Sequence, residues 1–218
     1  MKNHTVVITE PAAAAALKNI YKTNGPGELK WDFSVPGQVT AQDGRLKARD
    51  GALTRLNLSE AGLKGVLKLH GVDDLKGLDA AVNDLMRISF KNLPGLARLY
   101  IPVNEIIDLP PLAWLTKLIS LVLRENEISD LSPLAGLTKL THLHMIGNKI
   151  SDLSSLAGLT ELAYLYLEEN KISDLSPLAG LVNLREIDLE NCPVTDLSPL
   201  DHLPELEKVN GQEYRRPA

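Results

Sequence analysis

The chain of 218 residues has one cysteine, Cys192, so no disulfide can close within it. That suits a reducing compartment, or a fold that needs no bridges. Aromatic residues are scarce, at two Trp, two Phe and five Tyr, so aliphatic side chains must fill the interior. No apolar run approaches the ~20 residues of a membrane span, which excludes a spanning helix. Val6-Val7-Ile8 is too short for the core of a secretory leader, and Glu10-Pro11 interrupts it. A cytoplasmic location is the expectation; a secreted or surface-exposed one is the alternative if a leader has been removed. The chain also lacks a nucleophile elbow, a phosphate loop and a zinc-binding helix motif. No enzyme activity, catalytic residue or cofactor is expected.

What the chain does have is a repeat. LISLVLRENEISDLSPLAGLTK (118–139) returns as LTHLHMIGNKISDLSSLAGLTE (140–161) and LAYLYLEENKISDLSPLAGLVN (162–183). LARLYIPVNEIIDLPPLAWLTK (96–117) precedes them and LREIDLENCPVTDLSPLDHLPE (184–205) follows, at a period of 22. A fixed period of this size means a solenoid of stacked coils. In 118–139, Leu118, Leu121 and Leu123 point inward from a short strand. Ile128, Leu131, Leu134 and Leu137 return to the same interior. One coil cannot bury its single apolar edge alone, so coils stack.

Two polar columns recur at fixed phase. Asn83, Asn104, Asn126, Asn148 and Asn170 lie where the chain leaves the strand, and Cys192 takes the next place. A buried turn carries backbone groups that need partners, and an amide both donates and accepts. These residues are expected to form a structural ladder, with Cys192 buried and inert. Asp108, Asp130, Asp152, Asp174 and Asp196 form the second column, expected to bond their own turns rather than calcium. Ser-Pro after most of them predicts an N-cap and a first helical position, so each back segment is one short helical or 3₁₀ turn.

LxxLxLxxNxI followed by SDLSPLAGLTxL resembles the 22-residue leucine-rich repeat of the bacterial internalin type. The match is close over 96–205 and loose over 53–95. The resemblance implies an α/β horseshoe with a parallel concave sheet, a convex side of short 3₁₀ turns and loops, and a helical N-terminal cap. It also implies a binding module rather than an enzyme.

The expected organisation is a cap over 1–52, seven repeats over 53–205 and a capping coil over 206–218. The repeats begin at 53, 75, 96, 118, 140, 162 and 184. A helix is expected over about 10–22, covering the apolar end of the first coil together with Trp31, Phe33 and Val35. ALKNIYKTNG, Trp31 and Asp43-Gly44-Arg45 resemble the N-terminal flanks of bacterial leucine-rich-repeat proteins. PELEKVNGQEY resembles the C-terminal cap of intracellular ones, with Tyr214 over the last coil. The second coil has 21 residues, one short of the period. Trp114, where later coils carry Gly136, Gly158 and Gly180, is expected to pack into the gap this leaves, with an exposed contact point on the back as the alternative. His70 is expected in a loop.

The outward residues of the strands form the surface on which such solenoids bind partners. By phase, Tyr100, Val122, His142, His144, Ile146, Tyr164 and Tyr166 are neighbours, with Arg124 beside them. Glu168, Glu186, Asp188 and Glu190 form an acidic flank. Exposed Tyr is enriched at binding hot spots. His142 and His144 offer two donors with Glu168 as a third, but a structural zinc takes four and none is expected. Residues 96–218 hold 10 basic and 18 acidic residues, net −8, so this half should attract a basic protein surface and repel nucleic acid. The expected function is a non-enzymatic protein–protein interaction module, monomeric by default, gripping its partner on the concave face. The alternatives are a regulatory or inhibitory subunit of an enzyme and a secreted adhesin or effector.

Overall fold

The computed structural model describes residues 6–8, 11–24, 31–32, 39–41, 45–50 and 52–215. In chain order the elements are β1 (Val6–Ile8), α1 (Pro11–Asn24), β2 (Trp31–Asp32), β3 (Val39–Ala41), β4 (Leu46–Arg49) and β5 (Ala52–Asn57). Then come β6 (Lys64–His70), β7 (Gly77–Asp79), β8 (Asp84–Lys91), β9 (Arg98–Tyr100) and β10 (Ser120–Val122). The chain ends through β11 (His142–His144), β12 (Tyr164–Tyr166), β13 (Glu186–Asp188), β14 (Lys208–Val209) and β15 (Gln212–Glu213).

One ten-stranded sheet runs β4-β5-β7-β9-β10-β11-β12-β13-β14-β15. It is parallel from β5 to β14, and an antiparallel strand closes it at each end. The register steps by one whole coil: Tyr100 pairs with Val122, Val122 with His144, His144 with Tyr166 and Tyr166 with Asp188. Each strand buries its middle residue, so the residues on either side face outward. Leu121, Leu143, Leu165 and Ile187 stack in one continuous core with Leu134, Leu156, Leu178 and Leu200 from the back.

From the third coil onward the back is a 3₁₀ turn, at Pro110–Leu112, Ser132–Leu134, Ser154–Leu156, Ser176–Leu178 and Ser198–Leu200. The serine is not the cap. That position falls on Leu131, Leu153 and Leu175, and the aspartate before each leucine supplies the acceptor: Ser132 N–H donates to Asp130 Oδ1 at 2.8 Å and Ser132 Oγ–H to Asp130 Oδ2 at 2.9 Å, repeated at Asp152 and Asp174. These bonds hold Asp152, Asp174 and Asp196 below the ordinary carboxylate pKa.

The first two coils depart from this plan. Their backs are strands, and β6 and β8 pair in parallel as a separate sheet. His70 is therefore the exposed last residue of a strand rather than part of a loop. α1 lies along β6 and sends Ala14, Leu17 and Ile20 into the core. The expected contributions of Phe33 and Val35, and the Asp43-Gly44 turn, lie outside the described residues. At the other end Tyr214 donates its hydroxyl to Asp201.

The turn out of each strand is tight. Val82, Val103, Glu125, Gly147, Glu169 and Asn191 all have φ between 53° and 65°, left-handed values. Each precedes a residue of the Asn column. Asn126, Asn148 and Asn170 are buried. Asn148 Oδ1 accepts from Ile128 N–H at 3.0 Å, and its Nδ2 donates to Leu123 O at 3.0 Å and Met145 O at 2.9 Å. Ile128 and Leu123 belong to the coil before, so each amide ties two coils together. Asn83, Asn104, Asn126 and Asn170 bond in the same way. Cys192 is half-exposed, not buried as expected, because the coil after it is short and leaves it uncovered. Its thiol reaches Leu167 O at 3.2 Å.

Candidate interaction surface

The strand register places the outward residues in rows across the sheet. One row runs Tyr100, Val122, His144, Tyr166 and Asp188; the next runs Arg98, Ser120, His142, Tyr164 and Glu186. Parallel in-register pairing brings chemically matched rings together. His142 stacks on Tyr164 with centroids 4.7 Å apart, and His144 on Tyr166 at 4.4 Å. Tyr100 is exposed, while the four stacked rings are half-buried by one another. Arg124, Ile146, Glu168 and Glu190 continue the rows just past the strands, held by bonds such as Gly147 N–H to Glu168 O at 2.9 Å.

The electrostatics of this face are polarised. His144 is held below the ordinary histidine pKa by burial, with His142 and Arg124 adding to it, so it is neutral at pH 7. The Tyr166 hydroxyl is pushed up to about 12, first by burial and then by Glu186, to which it also hydrogen-bonds. Lys208 pairs with Glu186 at 3.8 Å. Glu168 lies above the ordinary carboxylate pKa, again through burial first, with Asp188, Glu190 and Glu169 adding repulsion. Among the described residues its Oε2 is the one buried side-chain oxygen without a hydrogen-bond partner. The carboxylate also takes a hydrogen bond from its own backbone, which opposes the rise, and among the described residues no cation acts on it.

Glu168 therefore makes a testable contribution to stability. A raised folded pKa means the folded state holds the proton more tightly than the unfolded state, so stability falls as pH rises through that value. Glu168→Gln should unfold at higher urea than the parent at pH 7. The gap should close below the ordinary glutamate pKa of about 4. Equal midpoints at pH 7 would contradict the repulsion argument.

His142, His144 and Glu168 do not converge on a point; among the described residues no three His, Cys, Asp or Glu side chains form a metal-binding group. No described helix is long and apolar enough to cross a membrane. Trp114 is 82% exposed and fills no gap, contrary to the packing expectation and in line with the exposed alternative. It stands on the back, over a groove between β8 and the 3₁₀ turn at Pro110–Leu112. Sequence reasoning missed this groove. Its signals were the short second coil and a tryptophan at a glycine position.

Residues 116–158 and 160–202 match the family model described as leucine-rich repeats (two copies). No curated protein matches the chain. Among solved structures, the chain is similar to an internalin (inlF) from Listeria monocytogenes, at 27% identity and a TM-score of 0.62 over 93% of this chain. It is also similar to an internalin C2 from the same organism, at 28% identity and a TM-score of 0.57, over 93% of both chains. A leucine-rich-repeat protein of Leptospira interrogans matches 63% of the chain at 25% identity and a TM-score of 0.60. The chain spans 58% of the first of these structures and 37% of the third. The repeat, the stacked parallel sheet and these likenesses agree: the chain carries leucine-rich repeats over residues 116–202, has the leucine-rich-repeat solenoid fold, and is similar along nearly its whole length to bacterial internalins.

Proposed function

We propose that the chain is a non-enzymatic interaction module that binds a partner protein bearing a basic patch on its concave sheet face. The observation that carries this reading is the unpartnered Glu168 Oε2 beside the stacked Tyr and His rings. A buried carboxylate oxygen without a partner costs stability, and a Lys or Arg from a partner would satisfy it with a charge-assisted bond. Beside it, Glu186, Asp188 and Glu190 attract a basic surface at long range. Tyr100, Tyr164 and Tyr166 supply rigid, amphipathic contact area. The sheet is built before the partner arrives, so little ordering entropy opposes binding.

A photoreactive residue at position 122, in the centre of the face, tests the reading in lysate of the native host. It should trap one protein, and the yield of the adduct should fall as salt rises past the screening range. The same group at Ala157, on the back, should trap nothing comparable. Equal labelling from both positions, or none from 122, would move the partner elsewhere.

A further inference from the structure

The back of the solenoid changes construction between the second and third coils, and the change leaves a strand edge open. β8 pairs with β6 on one side; on the other, among the described residues, no strand pairs with it and the 3₁₀ turn at Pro110–Leu112 packs nearby. Gly71 N–H donates to Lys91 O at 3.0 Å, so the Lys91 carbonyl points toward β6. Peptide groups alternate along a strand, so those of Arg87 and Ser89 also face β6, while those of Ile88 and Phe90 face outward. A register shift at Met86 turns Leu85 the other way, and the next coil satisfies it: its N–H donates to Asn104 Oδ1 at 3.0 Å and its carbonyl accepts from Glu105 N–H at 2.9 Å. The ladder then stops. The third coil continues into Pro110-Pro111, which have no N–H to offer. Among the described residues no hydrogen bond from that coil reaches Ile88 or Phe90.

A groove of about 730 Å³ opens at this place, lined by Phe90, Leu93, Pro94, Pro110, Trp114 and Leu115 among others. Its walls are mainly apolar. Two independent features therefore coincide: backbone groups without a ladder partner, and a greasy slot with an exposed indole. A helix or a compact apolar molecule would answer only the second. An extended chain answers both, by adding a strand to a sheet edge and placing alternate side chains in the slot.

Charge specifies the chain further. The outward side chains of β6 and β8 include Lys68, His70, Arg87 and Lys91, all exposed. Asp73 is the one acid lining the groove. Residues 1–95 hold 13 basic and 10 acidic residues, net +3, against the acidic repeats that follow. We propose that the groove between β8 and Trp114 is a second docking site, which takes an extended acidic peptide of a partner protein as an added strand. Its apolar side chains enter beside Phe90 and the Trp114 indole. The intervening acidic ones lie beside Arg87 and Lys91. The site is separate from the concave face and has the opposite charge preference.

The probe is a fluorescein-labelled octapeptide of alternating Glu and Val, titrated with the full chain at low salt and followed by anisotropy. Binding should saturate. It should weaken about tenfold or more in Trp114→Ala, which alters an exposed side chain and leaves the fold intact. Arg87→Glu with Lys91→Glu should do the same. So should N-methylation of alternate peptide nitrogens, which blocks ladder pairing without changing side-chain order. Tyr100→Ala with Tyr164→Ala and Tyr166→Ala should change nothing, which separates this site from the concave one. The proposal is overturned by non-saturable binding, by equal affinity of the N-methylated peptide, or by an unaffected Trp114 variant. Sedimentation showing that the chain dimerises through Trp114 would overturn it too, since a second copy would then be the occupant.

Discussion

Asn148→Ala should destabilise the protein by about 2–3 kcal/mol, read as a fall in the urea midpoint at unchanged slope. The side chain is buried and serves groups in two coils. Alanine would leave the Ile128 N–H without an acceptor in an apolar stack that water cannot enter, while Leu123 O and Met145 O would keep the amides of Asn126 and Asn170 and lose one of their donors each. An orphaned group costs about 1–3 kcal/mol. Position in the array matters as well. A solenoid is held by contacts between neighbouring coils, and this break falls in the middle, where it uncouples both sides. Asn104→Ala should cost less, because Asn104 is only half-buried and solvent can replace part of what is lost. The reciprocal change, Cys192→Asn, should stabilise by about 1 kcal/mol by giving Leu167 O a stronger donor than a thiol. A loss below about 1 kcal/mol in Asn148→Ala would show that the ladder is not what joins the coils.

The combined change of Tyr100, Tyr164 and Tyr166 to Ala should weaken partner binding by about a hundredfold or more, since hot-spot aromatics cost at least ~2 kcal/mol each when truncated. The three side chains point out of the sheet, and the leucines between them hold the core. Far-UV circular dichroism should therefore remain that of the parent. His142 and His144 would lose their stacking partners in the variant, so part of the effect would come from rings left free to rotate. Retention of the same protein from lysate by parent and variant alike would remove the concave face from the proposal. It would leave the back, with Trp114, as the surface to pursue.

These two sites differ in how far they could be seen before folding. The rows of the concave face follow from arithmetic, because a 22-residue period and an alternating strand send every twenty-second residue to the same place. The groove at Trp114 does not follow. The 53–95 coils look like weak repeats, and nothing local says that their backs run as strands while later backs close as 3₁₀ turns. Pro110-Pro111 ends the ladder, yet an open edge exists only because β8 happens to precede it in space. Trp114 illustrates the same gap. Its phase places it on the back, but packing or exposure depends on how two neighbouring coils diverge.

By itself the sequence determined the coil, its period, the inward leucines, the Asn turn and the order of strands, because each depends on spacing along one chain and coils stack on copies of themselves. Only the tertiary structure decided which ring lies on which. It also decided that the Glu168 Oε2 has no partner and that Cys192 is half-open. Those outcomes depend on distances between residues 20 or more positions apart, where a few tenths of an ångström separate a hydrogen bond from a vacancy.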